Sequence, residues 1–234
     1  MKRLLLAIAL LAGSGSTFAA ACVNASLSDY IALGSGGCTI AGHTLAGFSA
    51  NSVLTGATAI DAANVNVTAV NSAGGFGLDF TLAPNAPNAT GPGGLLDLLL
   101  GYTVSGSHLI GASLGFGANT LSGDAAIAAV ADICANGTFN NYLINGSALC
   151  SGSQSAGLVS VGDKDAASFA GASFFDVFVE LIIDGGSAGN ALLTGPVSTL
   201  FAVPEPSSLA LMTLALIGLG SIRTRRRSAQ AALR

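Results

Sequence analysis

Three stretches of this chain alternate apolar and polar residues with a period of two, the pattern of a half-buried strand rather than a helix. Val65, Val67 and Ala69 alternate with Asn64, Asn66 and Thr68. Phe76, Leu78, Phe80 and Leu82 alternate with Gly77, Asp79 and Thr81. Val177, Val179, Leu181 and Ile183 alternate with Asp176, Phe178, Glu180 and Ile182. Successive side chains of a strand point to opposite faces, so each stretch offers one apolar face to a core. Gly, Asn and Pro clusters bound the stretches, and these residues supply the turns that end short strands. Further strands are expected over 95–104, 109–116, 158–161 and 197–202. The Ala-rich stretch 125–133 fits a helix as well as a strand, and Pro84, Pro87 and Pro92 mark 84–94 as a surface loop. Short strands with turn signals roughly every ten residues predict an all-β fold, an antiparallel β-sandwich. No long-period repeat and no boundary within the middle of the chain is visible.

Composition agrees with a packed β fold. Only 9% of the 234 residues are charged, 51% are hydrophobic, and Gly occurs 32 times. A chain of this apolarity buries enough surface to fold, unlike a disordered segment.

Charge is unevenly placed. Lys2 and Arg3 open the chain; Arg223, Arg225, Arg226, Arg227 and Arg234 close it; Lys164 is the one basic residue between. Residues 22–203 hold eleven Asp and Glu against that lysine, so this region carries −10 while the whole chain carries −4. A body this acidic repels phosphate backbones, which excludes nucleic acid as a partner.

Four cysteines fall in two local pairs, Cys22 with Cys38 and Cys134 with Cys150, each with fifteen residues between its members. Of the three connectivities open to four cysteines, the equal spacing favours Cys22–Cys38 and Cys134–Cys150. Closing a loop of this length stabilises by roughly 3 kcal/mol in the chain-entropy account. A metal site is the alternative, but Cys-x-x-Cys spacing is absent and the chain's histidines are His43 and His108. No metal and no cofactor is expected.

The N-terminus reads as an export signal. A basic start, Met1-Lys2-Arg3, precedes an apolar run over 4–12 and the small residues Ala19-Ala20-Ala21. Residues 1–21 are therefore expected to be a signal peptide, with the Sec machinery and signal peptidase as partners and an oxidising destination for the cysteines. A lipid-anchored Cys22 is disfavoured, because Ala19 stands where an aliphatic residue is usual and Cys38 would lose its partner.

The other end has three parts in order. Val203-Pro204-Glu205-Pro206 cannot continue a helix or a strand ladder. An apolar run of fourteen residues follows over 209–222, short of the ~20 needed for a comfortable span. Arg223, Arg225, Arg226 and Arg227 then form a basic stop that stays on the cytoplasmic side.

These residues resemble the PEP-CTERM sorting signal. The resemblance implies recognition by an exosortase and cutting at or near Pro204-Glu205-Pro206 after transient residence in the inner membrane. The body is then delivered to the cell surface or an extracellular polysaccharide matrix. The opening of the body (Leu27–Gly34, Gly37-Cys38-Thr39-Ile40 and Phe48) is similar to that of many PEP-CTERM proteins and brings no activity with it. The expected organisation is a signal peptide over 1–21, an acidic β-rich extracellular domain over 22–202, and a sorting signal over 203–234 with a hydrophobic helix and basic tail.

Candidate chemistry in the body is sparse. Gly111-Ala112-Ser113-Leu114-Gly115 fits the G-x-S-x-G elbow, but neither a helical sequence nor a histidine follows it. Asp163, Asp165 and Asp184 lack the spaced acids of a calcium loop. Trp is absent and Tyr occurs at three positions, a poor supply of sugar-stacking platforms. The expectation is a surface or matrix protein without catalytic residues, with a carbohydrate- or calcium-binding module as the alternative.

Overall fold

A computed structural model describes residues 19–52, 54–72, 75–84, 89–140 and 149–204. Most of the expected signal peptide, Glu205, Pro206, the apolar run and the arginine cluster lie outside these residues. The described chain divides after Ala202, so that Val203 and Pro204 belong to a second unit.

The first strands are β1 (Ala20–Ala21) and β2 (Ala25–Ser26), followed by helix α1 (Leu27–Ala32). Ser26 caps α1. Its Oγ accepts from the Asp29 amide at 3.2 Å, and Asp29 Oδ2 accepts from the Ser26 amide at 3.1 Å, so two otherwise orphaned donors are satisfied. Leu27 and Tyr30 are the buried face of this helix, and the Tyr30 hydroxyl donates to the Val23 carbonyl at 2.8 Å.

Then come β3 (Cys38–Ile40), β4 (His43–Asn51), β5 (Thr58–Ala59), β6 (Val65–Ser72), β7 (Gly75–Leu82) and β8 (Ala89–Thr90). The long β9 (Leu95–Phe116) is followed by β10 (Asn119–Ser122), β11 (Ala126–Ala135), β12 (Phe139–Asn140) and β13 (Leu149–Cys150). The chain continues through β14 (Gln154–Ser160), the long β15 (Asp165–Asp184), β16 (Asn190–Leu193) and β17 (Val197–Ala202). Among the described residues the fold is thus mostly β. The 84–94 region contains β8, which pairs with β16.

Residues 125–133 form strand, not helix. Ile127, Ala129, Ala131 and Ile133 are buried on one face, and β11 is paired on both edges, to β14 and β15. A central position in a sheet outweighs the helical preference of alanine.

The main sheet runs β1-β3-β4-β9-β17-β7-β6-β2, with β15, β11 and β14 branching from β9. Its ladders are antiparallel except β1 with β3 and β5 with β9. Strand β15 lines one edge of β9 from Leu95 to Leu114. The opposite edge serves three partners in turn: β5 at 96–97, β4 along 99–105 and β17 along 111–116. Between the last two segments β9 turns at Gly106 (φ 156) and His108 (φ 63), and β15 shifts register nearby, where Gly171 has φ 79. Glycine takes such angles without a Cβ clash, which lets a long strand change direction without ending.

The bend sends β4 and β17 apart, so the sheet curls and its two arms face each other. The imidazole of His43 on β4 stacks on Phe76 of β7, with ring centroids 4.3 Å apart. Tyr102 on β9 contacts Phe48, Phe80 and Phe201, and its hydroxyl shares a buried 2.5 Å hydrogen bond with Thr199. The two facing layers are therefore arms of one curled sheet, where the sequence had predicted the separate sheets of a sandwich.

The N-terminal segment spans the seam of this curl. Strand β1 pairs with β3 at one end of the sheet order and β2 pairs with β6 at the other, with residues 22–24 between them. Cys22 is disulfide-bonded to Cys38 at this seam, and the Cys22 amide donates to the Thr39 carbonyl at 3.0 Å. The second disulfide, Cys134–Cys150, ties β11 to β13, which pairs antiparallel with β12. Both Cys22 and Cys38 are consumed by the bridge, which removes the thiol a lipid anchor at Cys22 would need.

Candidate functional site

The sorting motif leaves the body from a central strand. β17 is bonded to β7 on one edge and β9 on the other, and buries Val197, Thr199 and Phe201 on a single face. Its ladder stops at Ala202. Val203 lies outside the strand, and the exposed Pro204 has no N–H with which to extend one. The first two residues of Val203-Pro204-Glu205-Pro206 therefore follow directly on a firmly held strand. The remaining motif residues, Glu205 and Pro206, and the basic stop at Arg223, Arg225, Arg226 and Arg227, lie outside the described residues.

Ser113 sits within β9, opposite Leu200 of β17 and Ala166 of β15. After Phe116 the Gly117 amide donates to the Pro196 carbonyl at 2.8 Å, and the next element is strand β10 from Asn119, not a helix. The sharp strand-to-helix corner that exposes a nucleophilic serine is not formed here. Ser113 instead floors a shallow trough. Two cavities of about 360 and 270 Å³ share Ser113, Lys164 and Leu200, one extending toward Pro196 and Ser198 and the other toward Ala202. The body's single cation thus stands beside hydroxyls on a floor of small residues.

The acidic residues singled out in the sequence mainly brace turns. Asp165 Oδ2 accepts from the Val159 amide at 3.0 Å and Oδ1 from the Ala166 amide at 2.8 Å. Asp184 Oδ1 accepts from the Gly186 amide at 2.8 Å. Asp124, which the sequence had not marked, accepts from the Ser187 hydroxyl and amide and from the Ala188 amide. Those bonds, the hydroxyl first, hold its carboxyl well below the usual carboxylate range. Among the described residues no group of three or more His, Cys, Asp and Glu is arranged to hold a metal ion.

Several ionisable groups lie deeper than their sequence context indicates. Asp97 is fully buried, its Oδ2 accepting from Ser52 Oγ and the Leu54 amide, each at 2.9 Å. Glu180 has its pKa raised by burial, and then by the neighbouring charges of Asp97 and Asp132. Burial likewise raises Asp176, against the pull of the Phe139 amide donating at 2.9 Å. His43 is buried with Nδ1 unpartnered, and desolvation lowers its pKa. One sequence signal marks His43: it lies two residues before the core residue Leu45, on the inward face.

Residues 202–227 match the family model of the PEP-CTERM protein-sorting motif. No curated protein matches the chain. Among solved structures, a similarity is found to TmCBM61 in complex with β-1,4-galactotriose. The identity is 10%, with 67% of this chain and 88% of that chain covered and a TM-score of 0.28. A second similarity is to the enzymatically active domain of bacteriophage CBA120 tailspike protein 4. There the identity is 14%, with 70% of this chain and 20% of that chain covered and a TM-score of 0.25. At such scores neither structure informs the fold or the chemistry of the body. The C-terminal match implies an exosortase as processing partner, and with it export and membrane-associated sorting. The chain therefore carries, behind a disulfide-bonded β-rich body, a PEP-CTERM protein-sorting motif.

Proposed function

We propose that this chain is an exported surface or extracellular-matrix protein, cut near Pro204-Glu205-Pro206 by an exosortase and without catalytic activity of its own. The observation that carries the reading is the match of residues 202–227 to the sorting motif. In this reading the signal peptide is removed on export by cleavage after Ala19, Ala20 or Ala21, and 203–234 hold the chain transiently in the inner membrane. The acidic, sandwich-like body, 22–202, is what reaches the surface. The ladder that stops at Ala202 supports the arrangement, because a protease needs extended, unpaired chain at its cleavage site.

In the native host, the C-terminal peptide of the mature protein is expected to end near residues 204–206, with Arg223–Arg227 lost. A variant carrying Pro204→Ala, Glu205→Ala and Pro206→Ala is expected to keep the arginines and remain with the membrane fraction. Mature surface material with an intact C-terminus would overturn the proposal.

The trough beside Lys164 favours a second reading, contact between the body and extracellular polysaccharide. Serine hydroxyls and an ammonium are donors that suit sugar hydroxyls and carboxylates, and a floor of small residues admits an extended chain. Wild-type protein is expected to be retained on purified host exopolysaccharide. The double variant Ser113→Leu, Lys164→Ala, which fills the floor and removes the cation, is expected to elute with the void. Equal elution of the two proteins would discard this reading.

A further inference from the structure

The sequence provides two imidazoles, and the fold treats them oppositely. His108 is exposed at the bend of β9. His43 is only 7% exposed and forms the end of β4 that meets the other arm. Its ring lies nearly parallel to Phe76, 11° between planes, which makes it one of the contacts joining the β3–β4 arm to β7. On β9, Gly106 backs onto the same ring so closely that a Cβ there would collide with Nδ1. The imidazole is therefore clamped between an aromatic face and a glycine backbone.

Nδ1 is buried without a hydrogen-bond partner. A neutral imidazole with its proton on Nε2 tolerates this, because Nδ1 then presents a bare lone pair. Protonation would place a charged N–H at Nδ1 against Gly106, a desolvated donor with nothing to receive it.

The surrounding elements provide no counter-charge. Strands β3, β6 and β17 contain no Asp, Glu, Lys, Arg or free thiol, and His43 is the one ionisable residue of β4. Asp79 of β7 is three residues from Phe76, on the opposite face of the strand. On β9, Asp97 is engaged by Ser52 and Leu54, Tyr102 by Thr199, and His108 is turned to the exposed side. On α1, the Tyr30 hydroxyl bonds the Val23 carbonyl, and Asp29 is engaged in the helix cap.

We propose that His43 is an acid-released latch, holding the β3–β4 arm against β7 when neutral and freeing that arm when protonated. This goes beyond the proposed sorting and does not depend on it. Burial, which lowers the His43 pKa, sets the sign. The folded arm binds fewer protons than the open one, so the latch is intact above the ordinary histidine value of ~6.5. Its contribution is lost as pH falls from that value through the lowered one.

The test uses the full-length chain. Hydrogen exchange, corrected for the chemical rate, is measured at about pH 7.5 and about pH 5. Exchange over 38–51 and 75–82 is expected to rise several-fold at the lower pH. Exchange in β11 is expected to change much less. In His43→Phe, which keeps the stack and cannot be protonated, the acid response of the arm is expected to vanish. Imidazole titration by NMR in the otherwise unaltered chain reads His43 whether or not that variant folds. A His108→Asn variant, suited to the positive φ there, assigns the signal. A His43 that titrates at or above the ordinary range, an arm indifferent to pH, or an equal acid response in His43→Phe would each overturn the latch.

Discussion

A chain ended after Ala202 is expected to melt at the same temperature as the full-length protein, whereas one ended after Thr194 should show no cooperative transition. Eight residues separate the two truncations. The shorter chain lacks β17, which joins β7 and β9 and is the connection through which β7, β6 and β2 belong to the main sheet. It also lacks Val197, Thr199 and Phe201 from the core. Burial of each large apolar side chain contributes on the order of 2 kcal/mol, and a domain's net stability is only about 5–15 kcal/mol. The lost ladders expose the backbone groups of two further strands, which adds to the deficit. The chain ended after Ala202 keeps every strand found among the described residues. Thermal melts followed by far-UV and near-UV circular dichroism distinguish the two. A folded chain ending at Thr194 would show that β17 is dispensable.

The second large effect is expected at one residue of the same strand. Phe201→Ala should destabilise the body by about 3–5 kcal/mol, the range for deleting a fully buried aromatic ring. Phe201 is 1% exposed, and its ring lies 5.7 Å from Phe76, 6.3 Å from Tyr102 and 5.8 Å from Phe175. These partners come from β7, β9 and β15, so the cavity would open where the arms converge. The adjacent Leu200→Ala should cost only about 1 kcal/mol, because Leu200 faces the trough on the other side of the sheet. Urea unfolding of the two variants compares the faces directly. A larger loss in Leu200→Ala than in Phe201→Ala would show that the two faces of β17 are exchanged, as in a one-residue slip.

Alternation made legible the strands with one solvated face. In β6, β7, β17 and the second half of β15, buried residues recur at every second position, so alternation located them. Strand β4 escaped because its period is interrupted. His43, Leu45 and Phe48 are buried, the step from two to three falling at Gly47 (φ 67), where the pairing with β9 shifts register. Strand β9 was read as two segments because Gly106 and His108 look like a break, yet the ladder to β15 carries the chain through the bend. Helix α1 has six residues, too few for a 3.6-residue period to register, and its capping Ser26 and Asp29 were its only local sign.

The candidate sites divide along the same line. The sorting motif is legible because a sorting enzyme reads extended chain, so order and spacing in the sequence are themselves the signal. The trough joins Ser113, Lys164 and Leu200, which are far apart in sequence and meet only through the ladders of β9 with β15 and β17. His43 and Asp97 look like ordinary polar residues until packing withdraws their water.

By itself, then, the sequence determined the β character of the body, the acidity that its terminal arginines mask, and the tail that directs it. Each of these rests on neighbours in the chain or on composition. The curl of the sheet, the seam closed by residues 20–26, the central place of β17 and the clamped imidazole of His43 were decided by the tertiary structure alone. They depend on which strand edges meet and which residues lose their water, and both follow from long-range pairing that local pattern does not encode.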